Sequence, residues 1–389
     1  MDFAERVKRL PPYLFAEMEK LILKKRAEGA DLISLSIGDP DLPPPPEVLS
    51  TLSREAADPK NHNYSFSQGE PFFKRAVANW YKLRFGVDVN PESEVIALIG
   101  SKEGLANITR AFINLGDQVL VPDPSYPVYA NGSTLLSEGV PVILPLLEDN
   151  DFKPVLNTGA LKKRTKLMFL NYPNNPTATA VDKVFLKEAV DFARENNLII
   201  CYDNAYSEIT FDGYRAPSIL EVEGALDVAL EFHSCSKTFS MTGDRIGFAV
   251  GNRRLVEGLV KVKSQIDSGP SVYIQKVAAK ALETYTSREP PEYVAAINRI
   301  YRERRDVLIE GLRLLGFRCR VPKATFYVWL DCGRSSIEFA LKLLEVGVVV
   351  TPGSGFGKYG ESYVRLALTR PKEEIKVACE RMAELGLTS

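Results

Sequence analysis

Short apolar runs alternate through the middle of the chain with amphipathic stretches of helix length, such as Asp182–Asn196 and Arg254–Ile266. Most of these runs are continuously apolar rather than alternating, which is typical of strands buried on both faces of a sheet. The runs lie at Val95–Ile99, Gln118–Val121, Pro141–Leu146, Lys166–Leu170, Leu198–Tyr202, Ala229–His233 and Ile246–Val250. The pattern predicts an α/β fold with a mostly parallel, seven-stranded sheet between helices. A helical protein with short buried segments fits less well, because Gly and Pro interrupt nearly every run.

The pattern changes toward both ends of the chain. Residues 1–45 end in a proline cluster, which predicts an extended segment there. After a charged helical stretch at Glu292–Leu315, short runs return at Ala324–Leu330, Val346–Val350 and Tyr363–Leu368, with helices between and after them. We therefore expect a large domain at 46–279 and a smaller α+β domain built from 1–45 and 280–389.

Composition limits the classes of function. Lys and Arg number 49 against 50 Asp and Glu, so no basic excess predicts a nucleic-acid partner. No apolar run approaches the roughly 20 residues that cross a bilayer, and the charged N-terminus lacks an apolar signal core, so we expect no membrane partner and a cytoplasmic location. Five cysteines form no Cys-x-x-Cys pair, which fits a reducing compartment. With only His62 and His233, a histidine metal site or a Ser-His-Asp triad is poorly supplied, and we expect no metal.

Lys237 stands directly after a predicted strand, and Arg245 follows eight residues later. Ammonium groups are rarely buried without a partner, so a lysine in this place is unusual. It suits an amine that forms a Schiff base, with the hydroxyls of Ser234 and Ser236 and the guanidinium of Arg245 holding a phosphate. The alternative is a surface lysine just past a strand, and Lys237 alone does not decide between them.

Three further segments place polar groups after predicted strands. Asp203 ends one run, where a carboxylate points into the ligand crevice of an open α/β sheet, although it could equally be a helix N-cap. Asn171–Thr177 predicts a turn. Gly100–Gly104 joins a strand to a helix, which makes either an anion cradle or only a tight turn. By contrast, Gly353–Gly357 reads G-x-G-x-G before a strand, so we predict a loop and no nicotinamide cofactor.

Together these elements suit one ligand, a phosphorylated aromatic aldehyde. Such a molecule needs an amine, a carboxylate for its ring nitrogen, a phosphate cradle, a donor for its phenolic oxygen and a ring to stack on. Lys237 is the candidate amine and Asp203 the candidate carboxylate. The candidates for the phosphate cradle are the Gly100–Gly104 turn, with Ser101 and Lys102, and the side chains of Ser234, Ser236 and Arg245. Asn175 and Tyr206 are the candidate donors, and Tyr126 is the candidate stacking ring. All follow predicted strands, which an α/β sheet can gather into one crevice.

The chain resembles the class I/II aminotransferases, fold-type-I enzymes dependent on pyridoxal 5′-phosphate. The resemblance covers essentially the whole length. It rests on Asn175-Pro176-Thr177, Asp203-x-x-Tyr206, Ser234-x-Ser236-Lys237, Gly243-x-Arg245-x-Gly247 and Arg365. Within that family the chain is most similar to the LL-diaminopimelate aminotransferases. The similar segments are Leu10–Phe15, Ser36–Asp41, Ile99–Gly104, Asp123–Tyr129 and Thr351–Gly357.

The resemblance implies a function and a set of roles. It implies amino transfer between an L-amino acid, LL-diaminopimelate, and a 2-oxo acid, 2-oxoglutarate, in lysine biosynthesis. An aspartate, alanine or aromatic aminotransferase and a C–S β-lyase on the same fold remain alternatives. A cofactor-binding regulator fits poorly, since no DNA-binding module is attached.

The implied catalytic residues are Lys237, Asp203 and Tyr206. Arg365 and Asn175 would meet the substrate's α-carboxylate end, and Tyr13 and Gly38 its distal part. The family also implies a homodimer with shared active sites, in which Tyr64 reaches the partner's cofactor phosphate.

Two positions depart from the family's pattern. Ala178 replaces the glycine that usually follows Asn-Pro-Thr, so we expect this turn to avoid a conformation that only glycine tolerates. Asp244 places a carboxylate beside Arg245, which would either weaken cofactor binding or face solvent.

Overall fold

The computed structural model describes residues 1–11 and 14–386. Its strands are β1 (Ile33–Ser34), β2 (Val95–Leu98), β3 (Gln118–Asp123), β4 (Val140–Pro145), β5 (Thr165–Asn171), β6 (Ile199–Asp203), β7 (Ala229–Ser234), β8 (Gly247–Gly251), β9 (Tyr327–Asp331), β10 (Val348–Val349), β11 (Thr351–Pro352) and β12 (Tyr363–Ala367). Its helices are α1 (Glu5–Lys8), α2 (Leu14–Ala27), α3 (Pro46–Ala57), α4 (Pro71–Phe85), α5 (Ser101–Phe112), α6 (Lys183–Glu195), α7 (Ala225–Val228), α8 (Cys235–Thr238), α9 (Arg253–Lys263), α10 (Val272–Leu282), α11 (Glu292–Leu314), α12 (Ser336–Glu345) and α13 (Lys372–Glu384).

The large sheet has seven strands in the order β2-β8-β7-β6-β5-β3-β4. The strands from β7 through β4 pair in parallel, and β8 is antiparallel to both of its neighbours. The predicted α/β fold with a mostly parallel seven-stranded sheet is therefore confirmed. Each predicted run lies within one or two residues of an observed strand, which is the usual uncertainty of element boundaries.

Successive side chains of these strands enter different cores. Val95 and Ala97 of β2 pack in one cluster with α4, α6 and α10, whereas Ile96 and Leu98 pack in another with α5 and α9. Because helices cover both faces of the sheet, every position of β2 is buried and apolar. The continuous apolar runs follow from that double covering.

The C-terminal part of the chain forms a second set of strands. A three-stranded antiparallel sheet has the order β11-β12-β9, and β1 pairs in parallel with β10 through Ile33 and Val348. Within the predicted run at 346–350 only Val348–Val349 forms a strand, β10, and β11 follows directly after the run in a different sheet. The domain boundaries near 45 and 280 stay a prediction.

Parallel pairing brings the carboxyl ends of the central strands to one edge. Asn171 at the end of β5 is in register with Asp203 at the end of β6, and Asp203 is in register with Phe232 of β7. Ser234 ends β7, and α8 follows at once. The polar groups predicted after three separate strands therefore meet at this edge. None of the helices in the described ranges is long and apolar enough to cross a membrane.

Candidate active site

A cavity of about 610 Å³ lies at this edge of the large sheet, closed on the other side by the N-terminal segment and the C-terminal strands. It gathers twelve of the side chains and glycines singled out from the sequence. They are Gly38, Ser101, Lys102, Tyr126, Asn175, Asp203, Tyr206, Ser234, Ser236, Lys237, Arg245 and Arg365. Residues separated by more than three hundred positions thus face one volume.

Among the described residues of the predicted set, one does not line this cavity. Tyr64 does not line it and is 92% exposed. Tyr13 lies outside the described residues. A contact of Tyr64 with a second subunit's site stays a prediction.

Lys237 lies in α8, one turn beyond the end of β7. Its amine donates a hydrogen bond to the carbonyl of Gly38, with 3.0 Å between nitrogen and oxygen, and lies 5.7 Å from the centre of the Phe326 ring. Burial lowers the pKa of this amine to about 8, against the attraction of Asp39. A substantial neutral fraction near physiological pH makes the amine a competent nucleophile and base.

Asp203 presents its carboxylate to the same cavity from the end of β6. One oxygen accepts from the Tyr129 hydroxyl at 2.7 Å and the other from the Ala205 N–H at 3.2 Å. Burial raises the pKa of Asp203 to about 6, while these two hydrogen bonds lower it. The bond to Ala205 is a local turn contact, and none of the described helices begins at Asp203, so the N-cap interpretation is wrong.

Tyr206, Asn175 and Arg365 form the opposite wall. The hydroxyls of Tyr206 and Tyr327 lie 3.0 Å apart. Arg365 donates from Nη1 to the Asn175 side-chain oxygen at 2.8 Å and from Nη2 to the Ser36 carbonyl at 2.9 Å. Its Nε is buried with no hydrogen-bond partner among the described residues. Burial raises the pKa of Tyr206 well above its usual value, so this phenol stays protonated at neutral pH.

The N-terminus of α5 opens onto the cavity beside Arg245. Its N-cap is Gly100, at φ +89°, and no side chain caps the helix there. A Cβ on Gly100 would come 2.5 Å from Nη2 of Arg245, so only glycine lets the guanidinium approach this turn. Free N–H groups at Ser101 and Lys102, with Arg245 and the Ser234 and Ser236 hydroxyls on the cavity wall, suit a phosphate.

The turn after β5 corrects one expectation. Ala178 has φ +58°, so the turn keeps the left-handed conformation that we expected it to avoid. Neighbouring hydrogen bonds fix this shape: Asn175 N–H donates to the Asn171 side chain at 2.8 Å, and Thr177 N–H donates to the Asn174 side chain at 2.9 Å. These bonds hold the turn that carries Asn175 despite the strain on Ala178.

Asp244, the second departure from the family's pattern, is not paired with Arg245. Asp244 is partly buried, which raises the pKa of its carboxyl. No ion pair joins it to Arg245, whose Nη1 donates instead to the Thr242 carbonyl at 2.8 Å. Whether Asp244 weakens cofactor binding stays a prediction.

Two tyrosines that matter here escaped sequence reasoning. Tyr129 binds Asp203, and Tyr327 binds Tyr206. Tyr129 lies in the similar segment Asp123–Tyr129, where it has no assigned role, and Tyr327 lies in the apolar run Ala324–Leu330. Their partners are 74 and 121 residues away.

The groups around the cavity fit the predicted cofactor chemically. A buried amine, a buried carboxylate with a raised pKa that a cationic ring nitrogen would partner, and an uncapped helix N-terminus beside an arginine face one volume. The Tyr206 phenol and the Asn175 amide line the same cavity and can donate to a phenolic oxygen. Each group that a phosphorylated aromatic aldehyde needs therefore has a candidate partner in this cavity.

Comparison with known proteins agrees with this chemistry. A family model for class I and II aminotransferases matches residues 30–382. The LL-diaminopimelate aminotransferase of Desulforudis audaxviator is 49% identical over 384 residues, covering 97% of this chain and 96% of that protein. Among solved structures, substrate-bound BacF from Bacillus subtilis has a TM-score of 0.94 at 35% identity, covering 100% of this chain and 98% of that one.

A more distant relative has nearly the same fold. A double mutant of Thermus thermophilus aspartate aminotransferase has a TM-score of 0.93 at 29% identity, covering 99% of this chain and 100% of that one. The family model and the relatives extend over all three sheets and over the strand ends that line the cavity. The chain therefore belongs to the class I and II aminotransferase family and is a pyridoxal 5′-phosphate-dependent transaminase.

Proposed function

We propose that this transaminase takes its amino group from LL-diaminopimelate and passes it to a 2-oxo acid such as 2-oxoglutarate. The observation that carries the proposal is the 49% identity to an LL-diaminopimelate aminotransferase over nearly the full length of both chains. Aspartate aminotransferase, at 29% identity, supports the fold and the reaction more than the substrate.

The charges of the cavity support the same donor. Arg26, Asp39 and Lys102 all line it, so its wall carries both signs of charge. LL-diaminopimelate has a second ammonium and a second carboxylate at its far end, which groups of opposite charge can pair. An alanine or an aromatic substrate would leave these charges unmatched. The mixed charge therefore favours a substrate with a distal zwitterion.

Lys237 is the proposed nucleophile and proton carrier. Bound pyridoxal 5′-phosphate supplies a conjugated ring that accepts the electron pair left when the substrate's α-proton is removed. The Lys237 amine would take that proton from the substrate's α-carbon as a base and later give it up as an acid. Its lowered pKa, about 8, suits both roles near neutral pH.

Asp203 and Tyr206 would set the electronic state of the ring. Asp203 would pair with the pyridine nitrogen and keep it protonated, since a buried carboxylate is stabilised by a cationic partner. Tyr206 and Asn175 donate to the phenolic oxygen. Tyr126, which lines the cavity, would stack on the cofactor ring.

Arg365 is the proposed site for the substrate's α-carboxylate. Its guanidinium is held in place, because two of its nitrogens donate hydrogen bonds to Asn175 and Ser36. A planar guanidinium pairs with a carboxylate through two parallel hydrogen bonds, which a lysine cannot reproduce. Fixing the α-carboxylate in this way orients the α-proton toward Lys237.

The phosphate would be held by the α5 N-terminus with Ser234, Ser236 and Arg245. We extend the proposal to a homodimer, in which Tyr64 adds a hydroxyl to the partner's phosphate site. The exposure of Tyr64 and Phe66, at 92% and 62%, supports burial of this segment against a second copy.

The experiment is a donor panel assayed with 2-oxoglutarate. Purified enzyme loaded with cofactor receives LL-diaminopimelate, L-aspartate, L-alanine or L-phenylalanine, and glutamate is measured. The proposal predicts the highest kcat/KM with LL-diaminopimelate. A higher value with another donor would refute the substrate and keep the transaminase. Release of pyruvate and ammonia from a cysteine thioether, without need of a 2-oxo acid, would instead favour a C–S lyase.

A further inference from the structure

Tyr327 touches two of the proposed functional groups without belonging to the set described above. We propose that it is a positioning residue, whose hydroxyl orients the Tyr206 phenol and whose ring holds the Arg365 guanidinium. The inference rests on the roles proposed above for Tyr206 and Arg365. It adds a residue that couples the cofactor end of the site to the carboxylate end.

The hydroxyl contact is closely defined. Tyr327 begins β9 and is 2% exposed. Its hydroxyl oxygen lies 3.0 Å from that of Tyr206, and the two rings meet nearly edge to face, with centroids 5.6 Å apart. Each phenol has one proton to donate. If Tyr206 donates its proton to the cofactor's phenolic oxygen, its own oxygen must accept from Tyr327, and this order fixes the direction of the Tyr206 O–H bond.

The N-terminal segment confines the same hydroxyl from the other side. A Cβ on Gly38 would fall 1.9 Å from the Tyr327 hydroxyl oxygen, so the phenol fits only because residue 38 has no side chain. The carbonyl of Gly38 meanwhile accepts from Lys237. The Tyr327 hydroxyl is thereby packed between Gly38 and Tyr206, which leaves it little freedom to turn away.

The ring of Tyr327 supports Arg365. The guanidinium carbon lies 4.2 Å from the centre of this ring and 4.8 Å from that of Phe356. Aromatic faces attract a guanidinium and fix its plane, which is the property that a bidentate carboxylate site needs. Arg365 belongs to β12, and Tyr327 pairs with Ala367 two residues along that strand.

The backbone before Tyr327 is held in an uncommon conformation. Thr325 has φ +68°, which is unfavourable for a β-branched residue. Its N–H donates to the Ile209 carbonyl at 2.9 Å, and its hydroxyl oxygen accepts from the Tyr327 N–H at 3.1 Å. Strain of this kind persists only where surrounding contacts impose it. The contacts on Thr325 fix where Tyr327 enters the site.

The test is a double-mutant cycle on the enzyme with its cofactor. The variants are Tyr327→Phe, Tyr206→Phe and the pair, with Tyr301→Phe as the control. Tyr301 is also a tyrosine of this core, 1% exposed, and its hydroxyl has no hydrogen-bond partner in the described structure. Two properties are measured: the apparent pKa at which the visible spectrum of the bound cofactor changes, and kcat and KM with the amino donor.

We expect Tyr206→Phe to raise the spectroscopic pKa, because a donor to the phenolate form is lost. Tyr327→Phe shifts it in the same direction by less and lowers kcat about fivefold, the effect of one neutral hydrogen bond. In the Tyr206→Phe background, Tyr327→Phe has no further effect on either property. Tyr301→Phe changes neither.

A second variant tests the ring. Tyr327→Leu removes the face beneath Arg365, so KM for the donor rises about fivefold beyond the value in Tyr327→Phe. Equal KM values in the two variants overturn the Arg365 half of the inference. Three results overturn the proposed action of Tyr327 on Tyr206. They are an unchanged spectroscopic pKa in Tyr327→Phe, an equal effect of Tyr327→Phe with and without Tyr206→Phe, and a shift of the same size in Tyr301→Phe. No shift in Tyr206→Phe itself refutes the role proposed for Tyr206, a failure separate from that of Tyr327.

Discussion

The Lys237 amine and the Gly38 carbonyl are 199 residues apart in the chain and 3.0 Å apart in the structure. One belongs to the edge of the large sheet and the other to the segment that follows β1. Their hydrogen bond ties the N-terminal segment to the amine on which the proposed chemistry depends. A displacement of Gly38 should therefore change the position of the Lys237 amine, and the reverse.

Changing Gly38 to alanine tests this connection. The added methyl would meet the Tyr327 hydroxyl at 1.9 Å, so either the tyrosine or the segment around residue 38 must move. We expect kcat/KM to fall about a hundredfold, since a displacement of about 1 Å in an active site costs that much. Gly159→Ala, where the nearest atom is the flexible end of the Asn157 side chain at 3.1 Å, is the control. Near-normal kinetics in Gly38→Ala would show that this packing is unimportant.

The Lys237 amine should make the free energy of unfolding of the apoenzyme depend on pH. Its pKa is lowered from 10.5 to about 8 in the fold, so between these values the unfolded chain binds more protons than the folded one. Stability of the apoenzyme then rises with pH across this interval, by at most about 1.4 kcal/mol per pH unit from this group. Below about pH 8 both states are protonated and the contribution to the slope vanishes.

Urea unfolding of the apoenzyme at several pH values measures that slope. The comparison is Lys237→Met, which keeps the length of the side chain and removes the titration. The difference between the two proteins isolates the group from all others that titrate. Parallel stability curves from pH 8 to 10.5 would contradict the lowered pKa. The Lys237→Met protein should also be folded and devoid of transaminase activity.

Asp203→Asn separates cofactor binding from catalysis. The amide keeps the shape of the side chain and cannot carry the charge that stabilises a protonated ring nitrogen. We expect the variant to retain bound cofactor, because the phosphate contacts are untouched, and to lose kcat by about a hundredfold or more. Absorbance of the dialysed protein measures retention, and steady-state kinetics measure the rate. An unchanged kcat would mean that Asp203 does not face the ring nitrogen.

Ala178 offers a test of three opposing terms. Replacement by glycine relieves about 1–2 kcal/mol of left-handed strain. It also removes a buried methyl worth about 0.8 kcal/mol and frees the unfolded chain by about 0.4–1 kcal/mol. The free energy of unfolding should therefore change by less than about 1 kcal/mol.

Ala178→Val is the contrasting variant at the same position. It adds β-branching at φ +58° and should destabilise strongly. Denaturant midpoints measure both changes. A large loss of stability in Ala178→Gly would show that the turn is not held as described.

The polar groups after strands were predictable because parallel pairing has a simple consequence. Asp203 and Lys237 follow β6 and β7, and a parallel sheet brings such positions to one edge. Tyr129 and Tyr327 were not predictable, because a buried hydroxyl that binds a distant residue leaves no periodic signal in the sequence.

The expectation for Ala178 failed for a related reason. The intrinsic cost of a left-handed alanine is known from the residue type alone. The hydrogen bonds to the Asn171 and Asn174 side chains, which impose that conformation, become visible only in the structure. Likewise, Val346–Val350 reads as one strand because its apolar pattern is unbroken. The change of sheet between β10 and β11 depends on partners elsewhere in the chain.

The central claim is that this site exchanges its amino group with LL-diaminopimelate. The most direct measurement is the visible spectrum of the purified enzyme with its cofactor, titrated separately with LL-diaminopimelate, L-aspartate and L-alanine in the absence of any 2-oxo acid. The account predicts that the yellow band bleaches at the lowest concentration with LL-diaminopimelate and returns on addition of 2-oxoglutarate. A band that LL-diaminopimelate leaves unchanged while another donor bleaches it would contradict the account.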